Sequence, residues 1–176
     1  MTATIDPVHR ELVADAREAL GAAANPDRAA GMRAYMKSAM PYRGVRSPEV
    51  DAIARRVFAA HPLATYAAWQ ATALELWRTA EFREERYLAV GLTGERAYRE
   101  YQVPAAIPMY AEMIVTGAWW DHVDELAIRR VGPLLISHRA EIDPLLRRWS
   151  HDPDLCKPGP RSSPRSAARR LPIPSC

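Results

Sequence analysis

Apolar residues recur three and four positions apart along most of the chain, which places them on one face of an α-helix. The clearest stripes are Leu12, Ala16 and Leu20; Ile53, Val57 and Ala60; and Trp69, Ala73 and Leu76. No alternating run of β-branched residues is long enough to make a strand. The pattern predicts an all-α chain, with about nine or ten short helices between residues 6 and 149.

Three prolines mark predicted helix starts, because each follows a residue whose side chain can cap a helix and would occupy the first helical position. These pairs are Asp6-Pro7, Asn25-Pro26 and Ser47-Pro48. Turns are predicted at His61-Pro62 and Thr93-Gly94.

Short antiparallel helices can form either a closed bundle or a stack of two-helix repeats. Internal self-similarity is weak, but helices of roughly three to four turns favour antiparallel pairs stacked as a HEAT-like α-α superhelix, or solenoid. We expect this domain to cover residues 6–155. Residues 156–176 contain five prolines with many serines and arginines and no helical periodicity, so they are expected to form a flexible basic tail.

The charge of the chain is unevenly distributed. Its 176 residues include 24 Lys and Arg against 21 Asp and Glu, a formal net charge of +3. Five of the basic residues lie in residues 157–176, which contain no acid, so the preceding residues are slightly acidic. A case for nucleic-acid binding therefore depends on where basic residues cluster and cannot rest on the total.

The sequence lacks the motifs of several classes of protein. The N-terminal residues are charged and contain no apolar run, so we expect no signal peptide, no membrane association and a cytoplasmic location. Cys156 and Cys176 have neither disulfide-framework nor zinc-ligand spacing. The patterns GxGxxG and GxxxxGK[ST] are missing, so a nucleotide cofactor is not expected. The hydrolase pattern GxSxG is missing as well.

The stretch GAWWDHVDEL, residues 117–126, combines aromatic and acidic side chains. On a helix Trp120 and Asp124 share one face, which leaves Trp119 on the neighbouring face. One interpretation is a core helix with an acidic first turn and both indoles buried. The other is a ligand-binding face on which an indole and a carboxylate act together. His122 and its flanking aspartates do not converge on one face, so we expect no metal site here.

The stretch RAAGMRAYMKSAMPYRGVRSPEV, residues 28–50, mixes aromatic and basic side chains around a predicted turn at Gly44. The candidates for gripping a phosphate backbone are Tyr35, Lys37, Tyr42, Arg43 and Arg46. The alternative is a solvated loop with Tyr35 half-buried.

In ELWRTAEFREERYLAVGL, residues 75–92, basic and acidic side chains alternate. They are Arg78, Arg83 and Arg86 with Glu81, Glu84 and Glu85. This pattern predicts an exposed helix face with weak ion pairs.

Taken in order, these stretches resemble one family, the AlkD-type DNA alkylation repair enzymes, which are HEAT-like-repeat alkylpurine DNA glycosylases. The matching segments are YMKSAMPYRGVRSPE, ELWRTAEFREERYLAV, and GAWWDHVDELA followed by VGPLL. The resemblance runs from about residue 10 to about residue 155.

The resemblance implies base excision repair, in which cationic methylated purines such as 3-methyladenine and 7-methylguanine are removed from duplex DNA by hydrolysis of the N-glycosidic bond. It implies that Asp124 is the catalytic carboxylate, that Trp120 and Tyr35 pack against sugar and backbone, and that no metal or cofactor is required. Phosphate contacts are expected from Lys37, Arg43 and Arg46. We expect a monomer. The alternative is a non-catalytic HEAT-like module that binds DNA or protein.

The chain departs from the family pattern near its C-terminus. Members of the family continue with a Trp-containing motif and an Arg-Ala-Ala-Ile-Leu helix, whereas this chain reads CKPGPRSSPRS. One hypothesis is a one-base frame slip, since Gly-Pro-Arg-Ser-Ser-Pro-Arg-Ser can be encoded by the codons for Arg-Ala-Ala-Ile-Leu-Ser-Gln-Val read in another frame. Such a truncated chain would have weak or no excision activity. It would also expose an apolar end at Leu145, Leu146 and Trp149.

Overall fold

The computed structural model describes residues 7–117 and 119–150. Every regular element in these ranges is helical and none is a strand, which confirms the all-α prediction. Within these ranges the chain divides into two compact units, the first ending at Tyr101 and the second beginning at Gln102. The predicted tail and the residues of the frame-slip hypothesis lie outside the described ranges. Sequencing the gene tests that hypothesis, because codons at 158–166 that cannot be read in both frames would contradict it.

The described residues of the first unit form five α-helices and one 3₁₀ segment. They are α1 (Arg10–Ala22), α2 (Pro26–Met36), α3 (Ser47–Ala60), α4 (Tyr66–Arg78), α5 (Arg83–Gly94) and the 3₁₀ segment Arg96–Tyr101. Helices α4 and α5 pack extensively on each other, and α1 packs against α3, α4 and α5. Helix α2 buries none of its side chains fully, so it lies at the surface of this unit.

The apolar stripes form the core of the first unit. Those of α1 and α4 are fully buried, as the spacing predicted. In α3, Ile53 and Val57 are buried, but the prediction for Ala60 is wrong because this residue of the last turn is exposed. Phe58 is buried on α3 instead. Trp69 also donates its indole N–H to the carbonyl oxygen of Leu92 at 3.1 Å, which joins α4 to α5.

The predicted capping of α2 is confirmed, because Asn25 Oδ1 accepts the N–H of Arg28 at 3.1 Å. The start predicted at Asp6-Pro7 is wrong. Helix α1 begins at Arg10, and the imidazole Nδ1 of His9 accepts the N–H of Leu12 at 3.2 Å.

The start of α3 lies close to the predicted position, but its capping differs. Ser47 is already helical and Arg46 is the cap residue. The N–H of Arg46 donates to Glu49 Oε2 at 2.7 Å. The turn predicted at His61-Pro62 follows α3, with His61 as the cap residue of that helix. The turn predicted at Thr93-Gly94 is wrong, because both residues belong to α5, which ends at Gly94.

The second unit is built from shorter elements. They are the 3₁₀ turn Pro104–Ala106, α6 (Ile107–Gly117), α7 (Trp120–Leu126), a π-helical turn at Ala127–Val131, α8 (Gly132–Ser137) and α9 (Arg139–Ser150). The π turn joins α7 to α8, with the N–H of Gly132 donating to the carbonyl oxygen of Ala127. Pro133 follows and has no N–H to donate, so the ordinary hydrogen-bond ladder cannot continue through it. Among the described helices, none is long and apolar enough to cross a membrane.

Candidate nucleic-acid interface

Helix α7 presents an indole beside a carboxylate. Trp120 is 51% exposed and Asp124 is exposed, and the two residues lie four positions apart on one face. His122 and Leu126, on the opposite side of α7, are buried. The interpretation that buries both indoles is therefore wrong for Trp120. A ligand that reaches this face would meet an aromatic surface and a negative charge together.

The neighbouring residues Trp119, Asp121 and His122 have structural roles in α7. Trp119 is the cap residue of α7, and its indole nitrogen is buried without a hydrogen-bond partner among the described residues. Asp121 accepts the N–H of His122 at 2.9 Å. His122 is buried while Asp124 is exposed, so these side chains lie on different faces of α7.

Adjacent carboxylates on α7 differ in their partners. Glu125 pairs with Arg129 at 3.0 Å and with Arg130 at 3.1 Å. Asp124 forms no ion pair within the described part of the chain. Because no cation among the described residues pairs with it, the Asp124 carboxylate is open to an incoming cationic group.

Tyr35 and Lys37 lie where α2 ends. Tyr35 is 83% exposed, so the alternative of a half-buried ring is wrong. Lys37 is exposed and is the cap residue of α2, with a left-handed backbone at φ 47°. An exposed phenol ring and an exposed ammonium group are therefore close in sequence at one helix end.

Two arginines of residues 28–50 that were candidates for phosphate contacts, Arg43 and Arg46, differ in their exposure and in their contacts. Arg46 has a side chain that is 66% exposed and lies 3.1 Å from Glu49. Arg43 stacks over the Phe82 ring, 3.9 Å from its centroid, and its guanidinium lies 3.4 Å from Glu85 Oε1. The contacts of Arg43 favour a role in shaping the loop, whereas Arg46 keeps most of its side chain in solvent.

The loop between α2 and α3 turns at Gly44, as the sequence predicted. Its φ of 82° lies in the left-handed region, and a Cβ atom there would come within 2.1 Å of the carbonyl oxygen of Asn25. The N–H of Asn25 donates to the carbonyl oxygen of Arg43 at 2.8 Å. Only glycine fits this close approach between the loop and the start of α2.

The first turn of α5 is buried beneath this loop, so the predicted exposed face of ion pairs is wrong here. Arg83, Glu84 and Glu85 are 4%, 0% and 1% exposed. The Glu84 carboxylate accepts the N–H groups of Arg43, Gly44 and Val45 at 2.9–3.1 Å. Backbone donors that point the same way in a buried loop need an acceptor from elsewhere in the chain, and a carboxylate supplies several.

Glu85 ties the same loop to the rest of the first unit. Its carboxylate lies 3.1 Å from the Arg17 side chain on α1, in addition to its contact with Arg43. Arg17 also donates to the carbonyl and hydroxyl oxygens of Thr79. Farther along α5, Arg86 lies over the Trp77 ring, and burial lowers the pKa of its guanidinium. The charged side chains of α5 thus link this helix to α1, to α4 and to the loop between α2 and α3.

The first unit also contains a group of possible metal ligands that no motif in the sequence indicated. Ligand atoms of His9, Glu11 and His61 lie within 4.8 Å of one another. His61 Nε2 lies 2.6 Å from Asp15 Oδ2, although the two residues are 46 positions apart. Spacings within one segment of the sequence cannot reveal such a cluster, because α1 and the end of α3 bring its residues together.

Comparison with known proteins identifies the family. Residues 16–157 match the family model described as DNA alkylation repair enzyme, and this match covers most of the chain. No curated protein is significantly similar. The matched region includes the loop held by Glu84 and the exposed Trp120–Asp124 face. This chain belongs to the DNA alkylation repair enzyme family.

Proposed function

We propose that the protein is a DNA glycosylase of the AlkD type, which releases cationic alkylated purines from duplex DNA by hydrolysing the N-glycosidic bond. The observation that carries the proposal is the exposed indole of Trp120 beside the exposed carboxylate of Asp124 on α7. Membership of a DNA repair family supports DNA as the substrate.

The chemistry needs few protein groups. Alkylation at N3 or N7 leaves a purine positively charged, so the base departs as a neutral molecule with the electrons of the glycosidic bond. Positive charge then develops on the deoxyribose, and a nearby carboxylate stabilises it. Water adds to the sugar carbon and loses a proton to solvent. Asp124 would stabilise the charge, while the face of the Trp120 indole would pack on the sugar and favour the cation.

Residues of the first unit would bind the DNA backbone. The exposed ring of Tyr35 would pack against sugar and backbone, and Lys37 and Arg46 would contact phosphates. Arg43 would position the loop through Phe82 and Glu85. We further propose that residues 6–155 stack as a HEAT-like α-α superhelix, which the packing of the consecutive helices α4 on α5 and α8 on α9 supports.

The decisive experiment measures release of 7-methylguanine and 3-methyladenine from methylated duplex DNA. Asp124→Asn removes the charge and keeps the shape, so we expect release to fall by roughly 10²- to 10³-fold with little change in DNA affinity. Asp51→Asn is the matched control, because Asp51 is another exposed aspartate within a helix. Equal release by both variants would contradict the role of Asp124.

The aromatic contribution is tested separately. Trp120→Ala is expected to lower release, and Trp120→Phe is expected to retain part of it because a ring face remains. Ile136→Ala is the control, since Ile136 is an apolar side chain that is 87% exposed in the same unit. Loss of activity in both alanine variants would point to damage to the unit rather than to a contact with the sugar.

The second candidate is a non-catalytic module that binds DNA or protein. The slight excess of acids before residue 157 favours it, because such a surface attracts phosphates only locally. DNA binding that does not depend on methylation, without release of any base, would support this candidate over the glycosylase.

A further inference from the structure

The first unit contains a cluster of histidine and carboxylate side chains that the proposed DNA chemistry does not use. We name it the His9–His61 cluster, and it consists of His9, Glu11, Asp15 and His61. The rings of His9 and His61 meet edge to face, with centroids 5.2 Å apart. Glu11 and Asp15 lie four positions apart on α1, so both carboxylates are on the helix face that meets these rings.

The geometry points to a binding site for Zn²⁺ or a similar nitrogen-preferring divalent ion, with His9, Glu11 and His61 as ligands, and we propose this as a structural site. Two imidazoles and one carboxylate are ligands that suit Zn²⁺, whereas Mg²⁺ and Ca²⁺ prefer oxygen alone. Bonds of about 2.1 Å place tetrahedral ligands roughly 3.4 Å apart. Ligand atoms that lie within 4.8 Å can reach that spacing by side-chain rotation.

The surroundings of His61 match those of a metal ligand. Its Nε2 lies 2.6 Å from Asp15, and its ring is mostly buried. Histidines that bind metals commonly donate the other ring N–H to a carboxylate, which fixes the ring and strengthens the ligand. A neutral His61 that donates Nε2–H to Asp15 would offer Nδ1 to the ion.

His9 is also held in place, but it has a competing bond. Its backbone N–H donates to Thr72 Oγ1 at 2.9 Å, which fixes the residue against α4. Its Nδ1 accepts the N–H of Leu12 at 3.2 Å, a long contact near the upper end of the usual range. Coordination through Nδ1 would replace this weak capping bond with a metal–nitrogen bond.

The two helix ends beside the His9–His61 cluster have opposite effects on a bound cation. His9 caps the positive N-terminal end of α1, and His61 caps the negative C-terminal end of α3. A cation is disfavoured by the first dipole and favoured by the second. Glu11, in the first turn of α1, supplies the negative charge that offsets the N-terminal end. The ion would join α1 to α3 and would take no part in the reaction proposed for Asp124.

Binding is tested by titrating the untagged, chelator-treated full chain with Zn²⁺ alone in a calorimeter, with Mg²⁺ as the comparison ion. We expect one Zn²⁺ per chain, no competing uptake of Mg²⁺, and a chelator-reversible rise in Tm. His61→Ala should abolish this binding. Asp15→Asn should weaken it by roughly 10- to 100-fold, as expected for loss of a carboxylate that supports a ligand.

Two further variants separate coordination from folding. His9→Asn keeps an N-cap acceptor and removes the imidazole, so we expect a folded protein with weakened Zn²⁺ binding. His138→Ala is the matched control, because His138 lies in the second unit outside the cluster. Unchanged affinity in His61→Ala and His9→Asn, or no saturable binding by the wild-type chain, would overturn the proposal. Anomalous scattering that places Zn²⁺ on other residues would do so too.

Discussion

The buried carboxylate of Glu84 is the feature of the first unit whose removal has the most predictable consequence. It is fully buried in the first turn of α5 and accepts N–H bonds from three consecutive residues, Arg43, Gly44 and Val45. Glu84→Gln changes one oxygen into an NH₂ group and removes the charge. The shape of the side chain remains nearly the same, so packing changes little.

The cost follows from the individual contacts. Gln retains one oxygen for the N–H groups of Gly44 and Val45, and each bond loses roughly 1 kcal/mol when its acceptor is no longer charged. The NH₂ group then faces the N–H of Arg43, so a buried donor loses its second acceptor oxygen at a cost of about 1 kcal/mol. We therefore expect the free energy of unfolding to fall by about 3 kcal/mol. In a chain of this size that corresponds to a Tm lower by roughly 6–12 °C.

Urea unfolding followed by circular dichroism measures this loss, and limited proteolysis after Lys37, Arg43 and Arg46 reports on the loop itself. Glu81→Gln is the matched control, because Glu81 is an exposed glutamate just before α5. The control should stay within about 0.5 kcal/mol of the wild type. If Glu84→Gln did the same, and the loop were cleaved no faster, the carboxylate could not be what holds the loop.

Three other predictions concern the same unit. Gly44→Ala should lower the free energy of unfolding by more than about 2 kcal/mol in urea unfolding, because φ is 82° and the new Cβ would lie 2.1 Å from the Asn25 oxygen. Hydrogen bonds from the backbone and side chain of Arg46 lower the pKa of Glu49 from its ordinary value of 4.5 to about 2. This depressed pKa stabilises the fold above pH 4.5 and the contribution is lost as pH falls towards 2, so Glu49→Gln should flatten the acid limb of a stability–pH curve. Trp69→Phe leaves a buried carbonyl of α5 without its indole donor and should lower the free energy of unfolding by about 1–3 kcal/mol, and an unchanged urea midpoint would contradict that role.

The amino-acid sequence by itself determined the helical class, the buried stripes of α1 and α4, and the face of α7 that Trp120 and Asp124 share. These features depend on periodicity within a single helix. Residues four apart share a face whatever the helix packs against, so Trp120 and Asp124 could be paired before any tertiary contact was known. The turn at Gly44 was also local, because it follows from a backbone conformation that glycine adopts readily.

Only the tertiary structure decided which contacts the charged residues of α5 make, and that His9 and His61 come together. Glu84 and Glu85 belong to an alternating run of charges that is typical of a solvated surface, yet the loop above them supplies N–H groups that need a buried acceptor. His9 and His61 meet because α1 packs against α3. Such contacts depend on which faces of separate helices come together, and that is set by the packing of the whole unit rather than by the spacing of residues within one segment.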